Sequence, residues 1–505
     1  MSTNARRSLY LALVVLVLCM LGVQAINDPE TDAMMKAQTS LTGGNASELM
    51  VQLPGQFLVA TFAGFKEVIA GALWVRADEF FHTGLYQAIL PIIRMVTWLD
   101  PHNVDVYTTG AWHVGYNFTD ASERSDKRYL PLAVALLKEG IANNPNRWNL
   151  YFELGYTHYD RKLEDFPNAI KYYELASQQK GVDPNTGESM ERPAFVDRIL
   201  AHEYEKVGAF DKAVAQWQKA IDRADGMTAN GKKSDEYADP TAAKTCRVNL
   251  ARLLLRLGWR TGNMKYYKQG IDLANKLKTD LPWALAGATA DYNKRAATGN
   301  PPKDTAKPIE VGLKVSWKRL APRVIQLSGN INIIRWSEYQ GMAAEVYTHA
   351  FQNNEKASAN KKQIWRDGAR LHWLLCDEDA NFEIPDTFSW KTDELRTMTW
   401  DSVYIGGGSF KTKIDMSKNV NFYPFAAKRY KLIVWFSALE PAASDFVQDR
   451  IGWDGMCLTD KTGVETWDTA PIANLFPSTN EEIHKYNMKY RVIKQEFIIN
   501  REDII

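Results

Sequence analysis

Two periodicities divide the chain. From about Phe57 to Pro282, apolar residues return every three or four positions, which is the spacing of one helix face. From Ile309 onward they alternate with polar residues, the spacing of a half-buried strand. The helical stretch breaks into segments that look alike. Leu73 to Pro101 holds a helix, a turn at Gly84, a second apolar helix, and Asp100-Pro101 as a stop. A second segment begins near Val106, carries Gly110 in its first helix, and resumes at Leu132 with Ala133, Leu137 and Gly140 on one face, ending at Pro145. A third has Leu154-Gly155, then Phe166, Ala169, Tyr173 and Ala176. A fourth has Leu200-Ala201, Tyr204 and Gly208, then Phe210, Ala213, Trp217 and Ala220. A degenerate fifth runs from Thr245 to Pro282.

The trios Ala169-Tyr173-Ala176 and Ala213-Trp217-Ala220 are spaced four then three, so each lies on one helix face. Small residues let two helices cross closely, and the large ring fills the hole between neighbours. No helix pair of this size can bury its own apolar face, so the pairs must stack. The stretch Phe57–Phe81 is apolar with Ala60, Ala63, Gly64, Ala70 and Gly71 interleaved. Lys66 and Glu67 sit in its middle and would be costly in lipid, so it reads as a buried first helix rather than a membrane span.

These segments resemble tetratricopeptide repeats, whose period is about 34 residues. The resemblance covers roughly Leu73 to Ala224, with a weaker unit to Pro282, and is most specific in the third and fourth segments. Ile89 stands where the first segment should carry alanine, and the stretches Thr119–Arg128, Gly181–Arg192 and Gly226–Asp239 are longer than the pattern. The resemblance implies a TPR-like α-solenoid that holds a protein or peptide partner on a concave surface lined by first helices. Trp112, His113 and Tyr116 sit on such a first helix and are the candidate partner contacts, since aromatics are favoured at binding hot spots.

Beyond a Pro- and Gly-containing linker at Gly287–Pro308, six segments alternate like strands: Ile309–Leu320, Arg323–Ile334, Gly368–Asp379, Gly407–Met416, Arg429–Leu439 and Phe446–Leu458. With Gly, Pro and Asp turns between them, they predict an antiparallel β-sandwich. Trp336–Asn353 reads as an inserted helix. Tyr490–Ile499 adds a strand or a helix.

At the other end, Arg6 and Arg7 precede the apolar run Leu9–Val23, and Val23-Gln24-Ala25 offers a cleavage site after Ala25. The same stretch, counted to Ile26, reaches 18 residues, the lower limit of an uncleaved membrane anchor. Both readings export the rest of the chain: anchored at the cytoplasmic membrane facing outward, or secreted or periplasmic if cleaved. Asn27–Leu53 is a polar linker, and Asn45 and Asn117 head glycosylation sequons.

Charge removes one class of partner. The formal net charge is +1 and no long basic tract appears, so no nucleic-acid partner is expected. The four cysteines contain no Cys-x-x-Cys pair. A Cys376–Cys457 bridge is conceivable beside the simpler reading of buried thiols. The eight histidines form no His-Glu-x-x-His pair, and no Gly-x-Ser-x-Gly elbow occurs. Gly406–Ser409 lacks the Walker spacing and reads as a hairpin turn. Asp377, Glu378, Asp379 and Asp386 are a solvated acidic turn or a calcium loop.

The sequence thus predicts a multidomain α + β chain: signal or anchor over 1–26, linker over 27–56, TPR-like repeats over 57–290, β-sandwich over 309–465 and an extension over 466–505. No cofactor, metal or catalytic residue is expected. The function expected is that of an exported, membrane-tethered scaffold for protein–protein interaction. The alternatives are a structural component of a cell-envelope or secretion assembly, and a carbohydrate- or calcium-binding or enzymatic protein acting through the sandwich.

Overall fold

Four of the ten helices between Lys66 and Lys276 start where a short polar side chain takes up an orphan backbone N–H. The computed structural model describes residues 65–118, 126–179, 192–228, 231–277, 308–333, 370–389, 397–405, 408–417, 427–439, 454–467 and 489–505, with a few short pieces between them. Helix α1 (Lys66–Thr83) ends at Gly84 in the left-handed conformation (φ 77°), which glycine adopts without steric cost. Then follow α2 (Ile89–Leu99), α3 (Val104–Trp112) and α4 (Leu130–Asn143). After them come α5 (Trp148–Glu153), α6 (Phe166–Gln178), α7 (Phe195–Lys206), α8 (Phe210–Ala224), α9 (Pro240–Thr261) and α10 (Met264–Lys276). Asn103, Asp165, Asp239 and Asn263 each accept a backbone N–H at the start of α3, α6, α9 and α10. The sequence from 57 to 64, expected at the head of the first helix, lies outside the described residues.

The chain divides into two compact units. The first holds α1 to α4. Its helix pairs pack as the small-residue pattern requires. A Cβ on Gly140 would come within 2.7 Å of the Tyr107 ring, so α3 and α4 touch through that glycine. Arg94 of α2 reaches Glu139 of α4 with two hydrogen bonds of 2.7 and 2.8 Å in a nearly buried setting.

The second unit holds three further pairs, α5/α6, α7/α8 and α9/α10, and two sheets. Ala169, Tyr173, Ala176, Ala213, Trp217 and Ala220 are all fully buried, as their spacing predicts. Gly155 packs against the Tyr173 ring and the Ala169 carbonyl, at 3.1 and 3.2 Å from where a Cβ would stand. The first helix of this pair is not α-helical throughout. Beyond Glu153 it widens into a π-helix over Leu154–Leu163 and stops at Glu164, a non-glycine residue with φ 54°. The spacing explains the widening. Ala201 and Ala213 are 12 residues apart in the next pair, but Gly155 and Ala169 are 14 apart. The i→i+5 turns take up the two extra residues without breaking the crossing. In the first unit, α3 likewise continues as a π-turn over His113–Asn117.

The connectors expected to be long loops instead fold as small antiparallel ribbons: β1 (Gly181–Val182) with β2 (Ser189–Met190), and β3 (Asp225–Met227) with β4 (Lys233–Ala238). Next to the first, Arg192 enters the repeat core. It binds the buried Asp197 carboxylate at 2.5 and 3.2 Å, and Gln216 donates to the same carboxylate at 2.8 Å.

The strands are β5 (Lys314–Ala321), β6 (Val324–Asn330), β7 (Arg370–Asp377), β8 (Met398–Tyr404), β9 (Ser409–Asp415), β10 (Arg429–Ser437), β11 (Val464–Trp467) and β12 (Tyr490–Asn500). They form a five-stranded sheet in the order β11-β12-β10-β7-β8 and a three-stranded sheet β5-β6-β9, with every pairing antiparallel. Ile325, Leu327, Phe410 and Ile414 of the small sheet share one core with Leu371, Trp373, Leu432, Val434 and Phe436 of the large one. Tyr490–Asn500 is a strand, paired with β10 over nine residues. Two expectations are corrected. The described part of Phe446–Leu458 contains turns and a single bridge from Leu458 to Ile309, not a strand. No hairpin joins β8 and β9 across Gly406–Ser409, because the two strands belong to different sheets; Gly406 and Gly407 lie outside the described residues. The expected helix at Trp336–Asn353 lies outside the described residues.

The second face of the five-stranded sheet is also buried. His372, Trp400, Trp435 and Trp467 are each 4% exposed or less, and His372 stacks on Trp435 at 5.3 Å. Glu164, at the end of the π-helix, brings its carboxylate 3.5 Å from His372 Nδ1. Residues just before α4 reach the sheet too: Asp126 bridges to Thr399, and the Lys127 N–H donates to the Met398 carbonyl at 3.0 Å. Arg128 holds Asp126 in a buried two-pronged pair.

Candidate protein-docking face

The sequence singles out Trp112, His113 and Tyr116, and the structure brings them together. Trp112 is 41% exposed, and its ring lies nearly parallel to that of Tyr116 at 6.4 Å. His113 faces inward instead. Its ring packs 4.5 Å from Phe81, its Nδ1 lies 2.8 Å from Asn117 Nδ2, and burial lowers its pKa. The π-turn sets this split, because it changes the angular step between residues and separates His113 from its neighbours.

A larger face of the same kind lies in the second unit. On α5 and its π-helical continuation, Trp148, Phe152 and Tyr156 recur every four residues and are half-buried. Phe152 stacks on Tyr156 at 5.3 Å, and Arg161 sits 4.9 Å over the Tyr156 ring and donates to its hydroxyl. Phe195 of α7 packs against Phe152 at 5.1 Å and against Trp148 at 5.7 Å. The first helices of neighbouring pairs therefore touch through aromatic rings.

Along α7 the same stripe continues as Arg198, His202 and Lys206, spaced three, four and four from Phe195. Burial pushes the His202 imidazole down to about 4, helped by the charges of Lys206, Arg198 and Arg252. Arg252 is exposed on α9, the next first helix. Neither Arg198 nor Arg252 forms an ion pair with a described residue.

Beneath the stripe lies a buried ionic floor. Lys206 Nζ lies 2.7 Å from Asp160 Oδ1 and also bonds Glu203. The Tyr173 hydroxyl donates to Asp160 at 3.3 Å. Two acids thus share one ammonium. Burial, and then the Asp160 charge, push Glu203 well above the ordinary carboxylate range. For Lys206, burial pulls downward, but the Glu203 and Asp160 charges outweigh it and hold the ammonium above its usual value. A side-chain hydrogen bond with Asp160 adds to the upward shift of Glu203. The indole of Trp217 lies 4.6 Å edge-on beneath His202.

The other candidate chemistry resolves simply. Cys376 and Cys457 are free thiols, so the conceivable bridge is not formed. Burial raises Cys376 to about 12. The Asp377 carboxylate is buried and accepts the Thr397 N–H, while Glu378 pairs with Arg429 at 2.8 Å, so these acids are bound by protein donors. No group of three or more metal-ligating side chains occurs among the described residues. No helix among the described residues is long and apolar enough to cross a membrane; the Leu9–Val23 run lies outside them.

No family profile matches the sequence, and no curated protein does. Two crystal structures of MamA are similar to parts of the fold. Each is 18% identical and is covered over 96% of its own length. They cover 43% and 40% of this chain, at TM-scores of 0.27 and 0.25, too weak a likeness to carry an argument.

Proposed function

We propose that this chain is a docking scaffold of tetratricopeptide type, which acts by holding another protein rather than by catalysis. The observation that carries the reading is the face on α5 and α7, whose first helices touch through Trp148, Phe152 and Phe195. Its aromatic rings and cations are half-exposed, while the second helices α6 and α8 bury theirs in the repeat core. Ordinary packing needs the buried rings of Tyr173 and Trp217; it does not need Tyr156, Arg198 or Arg252 at the surface. The two sheets sharing one core read as a β-sandwich fused to the repeats. The leader Arg6-Arg7 and Leu9–Val23 supports export, with the repeats and sheets outside the cytoplasmic membrane, either tethered by that run or released after Ala25.

The test uses the full chain in its own host, with a photo-crosslinking side chain placed at Arg198 or, as control, at Lys268 on the second helix α10. A defined protein adduct at Arg198 and none at Lys268 is expected. Equal labelling at both sites, or none at Arg198, overturns the docking reading. N-terminal sequencing of the mature protein settles the tether: Ile26 first, or an intact leader.

A further inference from the structure

We infer that the outer face of the three-stranded sheet β5-β6-β9 is a contact surface for an anionic lipid bilayer. Lys314, Lys318 and Lys411 meet the lipid phosphates, and the hairpin tip Leu320-Ala321-Pro322 enters the headgroup layer. The inference does not rest on the docking reading above.

Strand parity sets the face. Lys314 pairs with Asn330, Ser316 with Ser328 and Lys318 with Gln326; on the other side of β6, Asn330 pairs with Ser409, Ser328 with Lys411 and Gln326 with Lys413. The alternate positions Trp317, Leu327, Phe410 and Ile414 turn to the core shared with the large sheet. One face therefore carries lysines on both outer strands and a lane of Ser, Gln and Asn between them. At its centre Ser316 Oγ lies 3.1 Å from Ser328 Oγ.

Charge is unbalanced there. The whole chain has 61 basic and 60 acidic residues, but the acid of this face, Asp415, is buried and pairs with Lys413 at 3.0 Å. Lys314, Lys318 and Lys411 are exposed and form no ion pair with a described residue. Glu502 and Asp503 belong to the terminal turn Arg501–Ile504, which meets β5 through Arg319, a position of the other face. Three ammonium groups thus stand uncompensated. Lys314 and Lys318 are about 13 Å apart along β5, and Lys411 stands about 10 Å across from that strand. Cations spread over a plane suit a planar array of phosphates. No outward position of the face is aromatic among the described residues, so nucleic-acid bases find no ring to stack on.

The end of the face adds an apolar element. Two positions beyond Lys318, Leu320 is 48% exposed, and Ala321 and Pro322 after it are exposed as well. The backbone at this tip suits a layer poor in water. Pro322 has no N–H, the Arg323 N–H donates to the Ile504 carbonyl at 2.7 Å, and the Arg323 carbonyl accepts the Met416 N–H at 3.0 Å. Lys318 and Arg319 immediately precede the tip, so cations stand where the phosphates would lie when Leu320 enters.

The test floats the purified full chain with vesicles of phosphatidylcholine alone, or of about seven parts phosphatidylcholine to three parts phosphatidylglycerol. The ratio of the two affinities cancels any insertion of the apolar run Leu9–Val23, which needs no anionic lipid. Each lysine near an anionic surface brings about a fivefold gain, so at low salt the native chain should favour the anionic vesicles on the order of a hundredfold. Lys314→Gln/Lys318→Gln/Lys411→Gln should bring that ratio to about one, and Lys314→Arg/Lys318→Arg/Lys411→Arg should keep it. Lys265→Gln/Lys268→Gln/Lys276→Gln, which removes the same charge from exposed positions of α10, should keep it too. Leu320→Ser should weaken binding to the anionic vesicles about fivefold. The inference fails if the native chain binds both vesicles equally, if the glutamine variant keeps the ratio, or if the α10 control loses as much. It fails as well if a single-stranded oligonucleotide or an acidic polysaccharide binds more tightly than the anionic vesicles. The arginine variant keeps the test decisive should the glutamine variant melt early: loss of the ratio there overturns the inference.

Discussion

The first helices of the two units differ in what lies beneath their exposed rings. In the first unit, Trp112 rests on its own helical neighbour Tyr116, and the inward member of the trio, His113, meets the Phe81 ring. In the second, the rings of Trp148, Phe152 and Tyr156 run into a cationic stripe that stands on a buried indole and a buried acid pair. An aromatic patch alone offers contact area. A patch whose charges are fixed from below offers contact area and direction, because the ionic floor restricts where Lys206 can reach. Under the proposed docking reading, the second unit is the more selective surface.

The largest effect that sharpens this contrast is expected from Trp217→Ala. Emptying the fully buried site beneath His202 should cost about 4 kcal/mol of unfolding free energy, read by denaturant titration. A cost near that of an exposed residue would break the claim that the stripe has a packed floor. Next is Lys206→Met, which leaves Asp160 and Glu203 buried without their shared cation. A loss of about 3 kcal/mol is expected, and combining it with Asp160→Asn should restore part of it.

The third effect is a pH dependence. The folded protein raises the Glu203 pKa above its ordinary 4.5, so the proton is held more tightly in the folded than in the unfolded state. Its contribution is complete below pH 4.5 and is lost as pH rises toward the raised value. His202 works in the opposite sense. Its pKa is lowered from 6.5 to about 4, so its penalty acts at acid pH and is gone above pH 6.5. From pH 6.5 to pH 8 the Glu203 term therefore stands without His202, and stability should fall more steeply in the native chain than in Glu203→Gln. Equal slopes in thermal melts across that window would remove the buried proton from the account. The smallest effect is at the other face: Trp112→Ala should cost under about 1 kcal/mol, since that ring is exposed.

How much of this could be read from the chain depends on period. The second helices are legible because Ala169-Tyr173-Ala176 and Ala213-Trp217-Ala220 follow an undistorted helical step, and each of those residues is buried. The π-helix is not legible as a period, since 154–163 breaks the 3.6-residue step. Its only trace is the lengthened Gly155–Ala169 interval. The stripe on α7 is not legible for a related reason. Phe195, Arg198, His202 and Lys206 share a face, but a mixed aromatic and basic stripe has no hydropathy contrast to mark it. Among the strands, β7 and β10 announce themselves by apolar content. β8 does not, because Met398–Tyr404 mixes Thr, Asp and Ser with its rings and becomes a strand through pairing with β7. The acid pair could not be foreseen, because Asp160 and Glu203 meet only across two helices.

The short stretch Asp126–Arg128 has a consequence for handling the protein. By bonding to Met398 and Thr399 it occupies part of the outermost strand of the large sheet, where a naked ladder would invite a foreign strand. Trimming that insertion to tidy the second repeat would strip the sheet of its selvedge, and the shortened protein would be expected to polymerise edge to edge.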